Sequence, residues 1–199
     1  MSARLPGSAR GTLMVEVLKE GVHSGDASGV VPSSFRIARQ LLERLEDSQS
    51  GRILPKEFYC DIPAERAQQA ALAGETLGDA MLTRFPFAGK TAPMTRDHGE
   101  AVLNRTWRPF LSVIGADFIP AIKDAGNVLR PQTALKLSLR IPPLVDGRRA
   151  TADRKRILEA DPPHGANVSF EADKAATGRH APARAAGLNT AGDNASEPC

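Results

Sequence analysis

The segment Thr133–Ile141 (TALKLSLRI) alternates between apolar and polar side chains from Leu135 onward, and this pattern constrains the fold more than any other feature. Its apolar side chains point to one side of a strand: Leu135, Leu137, Leu139 and Ile141. Its polar side chains point to the other side: Lys136, Ser138 and Arg140. A strand of this kind needs an antiparallel sheet that is covered on one face and open on the other.

The other periodic segments set the order of the elements. Strand patterns occur at three further segments: Gly11–Glu20, Phe110–Ile114 and Ala166–Phe170. Helical spacing occurs at three segments: Phe35–Leu45, Ala64–Met81 and Arg148–Ala160. Gly74 interrupts the helical pattern of Ala64–Met81. Phe85–Thr106 has no clear period and is predicted to be a long connection. The order predicts an α+β, ferredoxin-like two-layer sandwich, with two helices on one face of a four-stranded antiparallel sheet and a helical insertion at 55–106.

Composition excludes several classes of function. Aromatic residues make up only 5% of the 199 residues, too few for a base-stacking platform, and the net charge is only +3. No apolar run approaches the ~18 residues of a transmembrane helix, and Met1–Gly11 lacks the apolar centre of a signal peptide. We therefore expect a cytoplasmic protein that binds neither nucleic acid nor a membrane.

The chain shows no self-contained active site. It has no zinc-binding spacing, nucleophile elbow, Walker loop or dinucleotide fingerprint, so we assign no metal ligand and no cofactor within this chain. Cys60 is interpreted as a half-buried structural thiol. The basic residues within 148–156 are interpreted as one solvated helix face.

Two residues have open alternatives when they are judged from the sequence alone. His23 lies in a glycine-rich loop after the first strand, where it is either an ordinary exposed histidine or a donor to developing negative charge. Arg140 is either a carboxylate-binding guanidinium on the open sheet face or an ordinary surface arginine in a salt bridge.

The chain is predicted to divide into three parts. Residues 1–10 form an N-terminal lead and residues 11–170 form the domain, with its insertion at 55–106. Residues 171–199 contain Leu188 as their one large aliphatic side chain, so we expect a disordered tail.

Specific strings resemble the lid or dimerisation domain of the zinc-dependent exopeptidase and deacylase family. This family includes carnosinase-like dipeptidases, acetylornithine deacetylase and succinyl-diaminopimelate desuccinylase. The strings stand in the correct order between Gly11 and about Pro182: GVHSGDASGVVPSS, LLERLEDSQSGRI, NRTWRPFLSVIG, AGNVLRPQTALKLSLRIPP and DPPHGANVSF. The segment around Glu57-Phe58-Tyr59 looks most like the dipeptidase branch.

The resemblance implies one part of a two-domain enzyme that hydrolyses amide bonds in small peptides or acylated amino acids. In the family, a catalytic domain outside the lid holds two zinc ions, and the lid pairs with that of a second subunit. His23 matches the loop histidine that enters the partner's site and stabilises the oxyanion. Asn127 matches a substrate-contacting residue, and Arg140 matches the arginine that binds the substrate carboxylate.

The expected role of the chain follows from this resemblance. We expect a homodimer through the lid, zinc only in the full-length enzyme, and no catalysis by this chain alone, which resembles a fragment without its catalytic domain. The alternatives are a stand-alone ferredoxin-like module that self-pairs or binds a small ligand, and the remnant of a disrupted gene.

Overall fold

The computed structural model describes residues 7–173, so residues 1–6 of the predicted lead and residues 174–199 of the predicted tail lie outside the described residues. Four strands form one antiparallel sheet in the order β3-β5-β1-β6: β1 Gly7–Glu16, β3 Phe110–Asp117, β5 Gln132–Ile141 and β6 Asn167–Ala172. Two short strands pair separately: β2 Val22–His23 and β4 Val128–Leu129. The predicted fold class is confirmed.

Six α-helices accompany the sheets in the described residues: α1 Ser24–Ala27, α2 Ser34–Leu42, α3 Ala64–Leu77, α4 Ala80–Thr83, α5 His98–Thr106 and α6 Gly147–Glu159. Side-chain oxygens cap three of them, from Ser33 before α2, Asp97 before α5 and Asp146 before α6. Helices α2 and α6 cover one face of the sheet. No helix in residues 7–173 is long and apolar enough to cross a membrane.

The main core lies between that face of the sheet and the two helices. The alternating residues of β5 are buried as predicted, since Leu137, Leu139 and Ile141 are fully enclosed. They pack against Ile37 and Leu41 of α2, among others. The opposite face of β5 carries half-buried and exposed polar residues, so the predicted open face is confirmed.

The first strand is displaced from its predicted position. It begins at Gly7 instead of Gly11 and ends at Glu16, because β5 offers a pairing partner to every residue of 7–16. Beyond Glu16 the amides of Val17 and Leu18 both donate to the carbonyl of Pro131, which turns the chain out of the sheet.

The insertion is more ordered than its sequence pattern indicates. The predicted long connection ends in helix α5, which packs on α3 around a second small core of Ala70, Leu103 and Trp107. Gly74 does not interrupt α3: a Cβ there would lie 2.5 Å from the backbone nitrogen of Gly99, so the glycine permits close helix packing.

One basic residue of α6 is placed wrongly by the sequence analysis. Arg154 is fully buried and not part of a solvated face. Its Nη1 donates to the carbonyl of Ala9 at 2.8 Å, and its guanidinium lies 4.2 Å from the ring centroid of Phe170. Burial lowers the pKa of Arg154 to about 10.

Candidate functional site

The small sheet of β2 and β4 brings two predicted site residues together. His23 pairs with Val128, and the amide of Ser24 donates to the carbonyl of Asn127 at 2.9 Å. Both His23 and Asn127 are exposed. Two loops separated by about a hundred residues therefore present an imidazole and a carboxamide at one end of the fold.

The His23 ring is held by the helix that follows it. Its Nδ1 accepts a hydrogen bond from the amide of Gly25 at 3.1 Å, and this contact caps α1. Asp26 lies 3.9 Å from the same nitrogen. Because Nδ1 is an acceptor, the proton of the neutral ring resides on Nε2, which makes Nε2 a hydrogen-bond donor. The arrangement suits a group that stabilises negative charge.

Gly25→Ala is expected to rotate the His23 ring with little effect on stability. A Cβ at this position would lie 2.9 Å from Cε1 and 3.0 Å from Nδ1 of His23, so the side chain must move and lose its bond to the amide. We expect a change of ~0.5 kcal/mol or less in the free energy of unfolding. Nitrogen-15 spectra of the imidazole should show the proton on Nε2 in the wild type and a mixture of tautomers in the variant.

Gly126→Ala is the matched control, because a Cβ there meets nothing within 4 Å. If His23 in Gly25→Ala keeps the tautomer of the wild type, the amide of Gly25 does not determine which ring nitrogen carries the proton.

Arg140 lies far from His23 and Asn127 within one chain. It pairs with Ser8 and Phe110 across the neighbouring strands, near the end of β5. The β4 loop joins the other end of β5 at Gln132, and eight residues at the usual rise put the two ends about 25 Å apart. The structure therefore groups His23 with Asn127 and separates both from Arg140.

A second arginine on the open face was missed by the sequence analysis. Arg10 is exposed and pairs with Ser138, two residues from Arg140 on the adjacent strand. Neither arginine forms a salt bridge with another residue in 7–173, whereas Lys136 on the same face binds Asp173 at 2.7 Å. Arg10 is recognised as a neighbour of Arg140 only from the register of β1 with β5, and the sequence alone does not give that register.

Strand β3 forms an exposed apolar edge of the sheet. Its side chains Val113 and Ile114 are 49% and 55% exposed at a β-bulge. Phe118 and Ile119 continue the apolar surface into the next loop. A long edge with unpaired backbone groups and apolar side chains is suited to pairing with another chain.

Residues 7–173 contain no group of three His, Cys, Asp or Glu side chains that could hold a metal ion. The Cys60 thiol is half-buried at the junction of the two cores, and burial raises its pKa. A protonated thiol in an apolar setting is a poor nucleophile.

This fold is found in solved metallopeptidase and dipeptidase structures. The dipeptidase Dug1p from Saccharomyces cerevisiae has a TM-score of 0.72 and 20% identity over 94% of this chain. Human carnosine dipeptidase 1 has a TM-score of 0.67 and 19% identity over 88% of this chain. An M20 family metallo-carboxypeptidase from Sulfolobus solfataricus has a TM-score of 0.64 and 16% identity over 84% of this chain.

The match covers only part of each of these proteins. The chain spans 40%, 38% and 43% of their lengths, respectively. No family model and no curated protein sequence matches the chain. The resemblance that the sequence strings indicated is therefore confirmed at the level of the fold, as one part of a peptidase architecture.

Proposed function

We propose that this chain is the lid and dimerisation domain of a zinc-dependent, dipeptidase-like metallohydrolase, located in the cytoplasm. The complete enzyme hydrolyses an amide bond in a small peptide or an acylated amino acid, and the chain is not catalytic alone. The shared fold with part of the dipeptidases supports this proposal.

The separation of the site residues along the sheet is the observation that carries the proposal. Along β3, Phe110 lies beside Arg140, and Asp117 leads into the loop that reaches Asn127. A two-fold axis that joins two β3 edges makes these strands antiparallel. Arg140 of one copy then lies at the same end of the joined sheet as the partner's His23 and the partner's Asn127. Each site is therefore formed by residues of both copies.

Each residue has a distinct role in this composite site. The Nε2–H of His23 donates to the oxyanion that develops when the amide carbonyl is attacked. The guanidinium of Arg140 binds the substrate carboxylate through two parallel hydrogen bonds. Asn127 orients the substrate beside His23, since its backbone is already fixed to Ser24.

The zinc ions of the proposed enzyme have no ligand set among residues 7–173. We therefore place their ligands outside these residues and assign no chemical step to the metal. The contribution of the described residues is to bind the substrate, to fix its carboxylate and to hold a proton at Nε2 of His23.

Mixing two inactive variants of the complete enzyme tests the composite site. His23→Ala and Arg140→Ala should each be nearly inactive as homodimers. A heterodimer contains one His23→Ala copy and one Arg140→Ala copy. One of its two sites retains both His23 and Arg140, and the other site lacks both. Equal coexpression should therefore restore about a quarter of wild-type activity through random pairing.

The matched control is coexpression of His23→Ala with a His23→Ala/Arg140→Ala double variant, in which no site retains both residues. Failure of the His23→Ala and Arg140→Ala pair to exceed this control would refute a site shared between subunits.

A further inference from the structure

A polar groove lies at the end of the sheet where β1 stops and β6 starts. It encloses a volume of about 600 Å³, within the range of sites for small ligands. Its polar lining includes Glu16, Lys19, Gln132, His164 and Asn167, none of which has a role in the proposed composite site. Apolar residues complete the lining: Val17, Leu18, Pro32, Pro131 and Ala166.

The groove contains a carboxylate that is held in place without a cation. Glu16 pairs with Gln132 on one side and Asn167 on the other, so the three side chains form one row on the open face. The Asn167 amide donates to Oε2 of Glu16, which fixes the carboxylate group. Glu16 is half-buried and forms no salt bridge within residues 7–173.

The groove is also lined by a lysine with which this carboxylate forms no salt bridge. Lys19 lines the same groove only three residues from Glu16, yet the two groups are more than 4.0 Å apart and Lys19 forms no salt bridge with any described residue. Opposite charges that share a groove without pairing remain available to a ligand that carries both charges.

The groove walls are stiff. His164 has a left-handed backbone (φ 57°, ψ 18°) in a turn that follows Pro162 and Pro163, and the amides of Gly165 and Ala166 donate back to these two prolines. Pro131 is tied to Val17 and Leu18 on the opposite side. Walls that are ordered before binding lower the entropy cost of binding a small molecule.

From these contacts we infer that the groove binds a free α-amino acid as its zwitterion. The ligand ammonium group bonds to the fixed Glu16 carboxylate, and the ligand carboxylate is held by Lys19. The two carboxamides and His164 supply further hydrogen bonds, and a small aliphatic side chain contacts the proline walls. The inference does not depend on the proposed function, because none of these residues belongs to the composite site.

Titration of the 199-residue chain with L-alanine, followed by nitrogen-15 amide spectra, tests this inference. We expect saturating shifts centred on Glu16, Gln132 and Asn167. Acetate and ethylamine, which each carry one of the two charges, should bind about tenfold more weakly than alanine, because each lacks one charge-assisted hydrogen bond.

Two groove variants and one matched control complete the test. Glu16→Gln and Lys19→Gln should each weaken alanine binding about tenfold. Glu20→Gln, next to Lys19 but outside the groove, should leave it unchanged. The inference is overturned if alanine gives no saturating shifts, if acetate binds as tightly as alanine, or if Glu20→Gln weakens binding as much as Glu16→Gln.

Discussion

Gly11→Ala is expected to lower the free energy of unfolding by about 3 kcal/mol, at the upper end of the cost of overpacking a core. A Cβ on Gly11 would lie 2.3 Å from Cζ of Phe170 and 2.6 Å from the carbonyl oxygen of Glu171. One of these atoms belongs to a buried ring and the other to the backbone of β6, so neither can move without disturbing the sheet.

Gly11→Ala is also expected to destabilise the buried guanidinium of Arg154. The Phe170 ring lies against the guanidinium of Arg154, whose Nε and Nη2 have no hydrogen-bond partner among the described residues. Displacement of the ring would remove the cation–π contact that stabilises this desolvated group. Loss of stability on this scale should lower the unfolding temperature by roughly 10 °C in a chain of this size.

Thermal unfolding followed by circular dichroism would measure the effect of Gly11→Ala. Gly126→Ala is the control, because the added methyl group there meets open space. Equal unfolding temperatures for the two variants would contradict the packing of Phe170 on Gly11.

If the proposed function holds, His23→Ala is expected to lower the kcat of the complete enzyme by 10²–10³-fold, on the order of the loss of one oxyanion-hole donor. The free Nε2–H of His23 would act in the transition state more than in substrate binding, so KM should change much less than kcat. The free energy of unfolding of the chain should fall by only about 0.5 kcal/mol, because the His23 side chain is 61% exposed and caps only the four-residue helix α1.

Steady-state kinetics of His23→Ala and of a control, His98→Ala, would distinguish the proposed catalytic role of His23 from the effect of removing any histidine. His98 bonds to Asp79 at 3.0 Å in the insertion, away from the β2–β4 loops. A proportional rise in KM with kcat unchanged would show that His23 binds substrate and does not stabilise the oxyanion.

The parts of the fold that follow from a local period were predictable. The two-residue period of Thr133–Ile141 gave the direction of Leu137, the exposure of Arg140 and the one-sided sheet. The strand and helix order then gave the ferredoxin-like topology. Bounds shifted where a pairing partner extended a strand, as β5 does for residues 7–10.

The parts that depend on contacts between distant residues were not predictable. The burial of Arg154 depends on the Phe170 ring and the carbonyl of Ala9, and nothing in the basic pattern of α6 indicates either. Helix α5 has few apolar positions, and its order comes from packing on α3 through Gly74 and Gly99. The proximity of His23 to Asn127 likewise depends on the long-range pairing of β2 with β4.

The mass of the chain in solution tests most directly whether two copies pair through β3. Multi-angle light scattering at increasing concentration should reach twice 21.2 kDa for the wild-type chain. Val113→Lys combined with Ile114→Lys should keep the chain at 21.2 kDa, because four lysines would meet across the two-fold axis. Leu72→Lys, on an exposed position of α3, should still give the dimer. A wild-type chain that stays at 21.2 kDa at high micromolar concentration, or a dimer that tolerates both β3 lysines, would contradict this account.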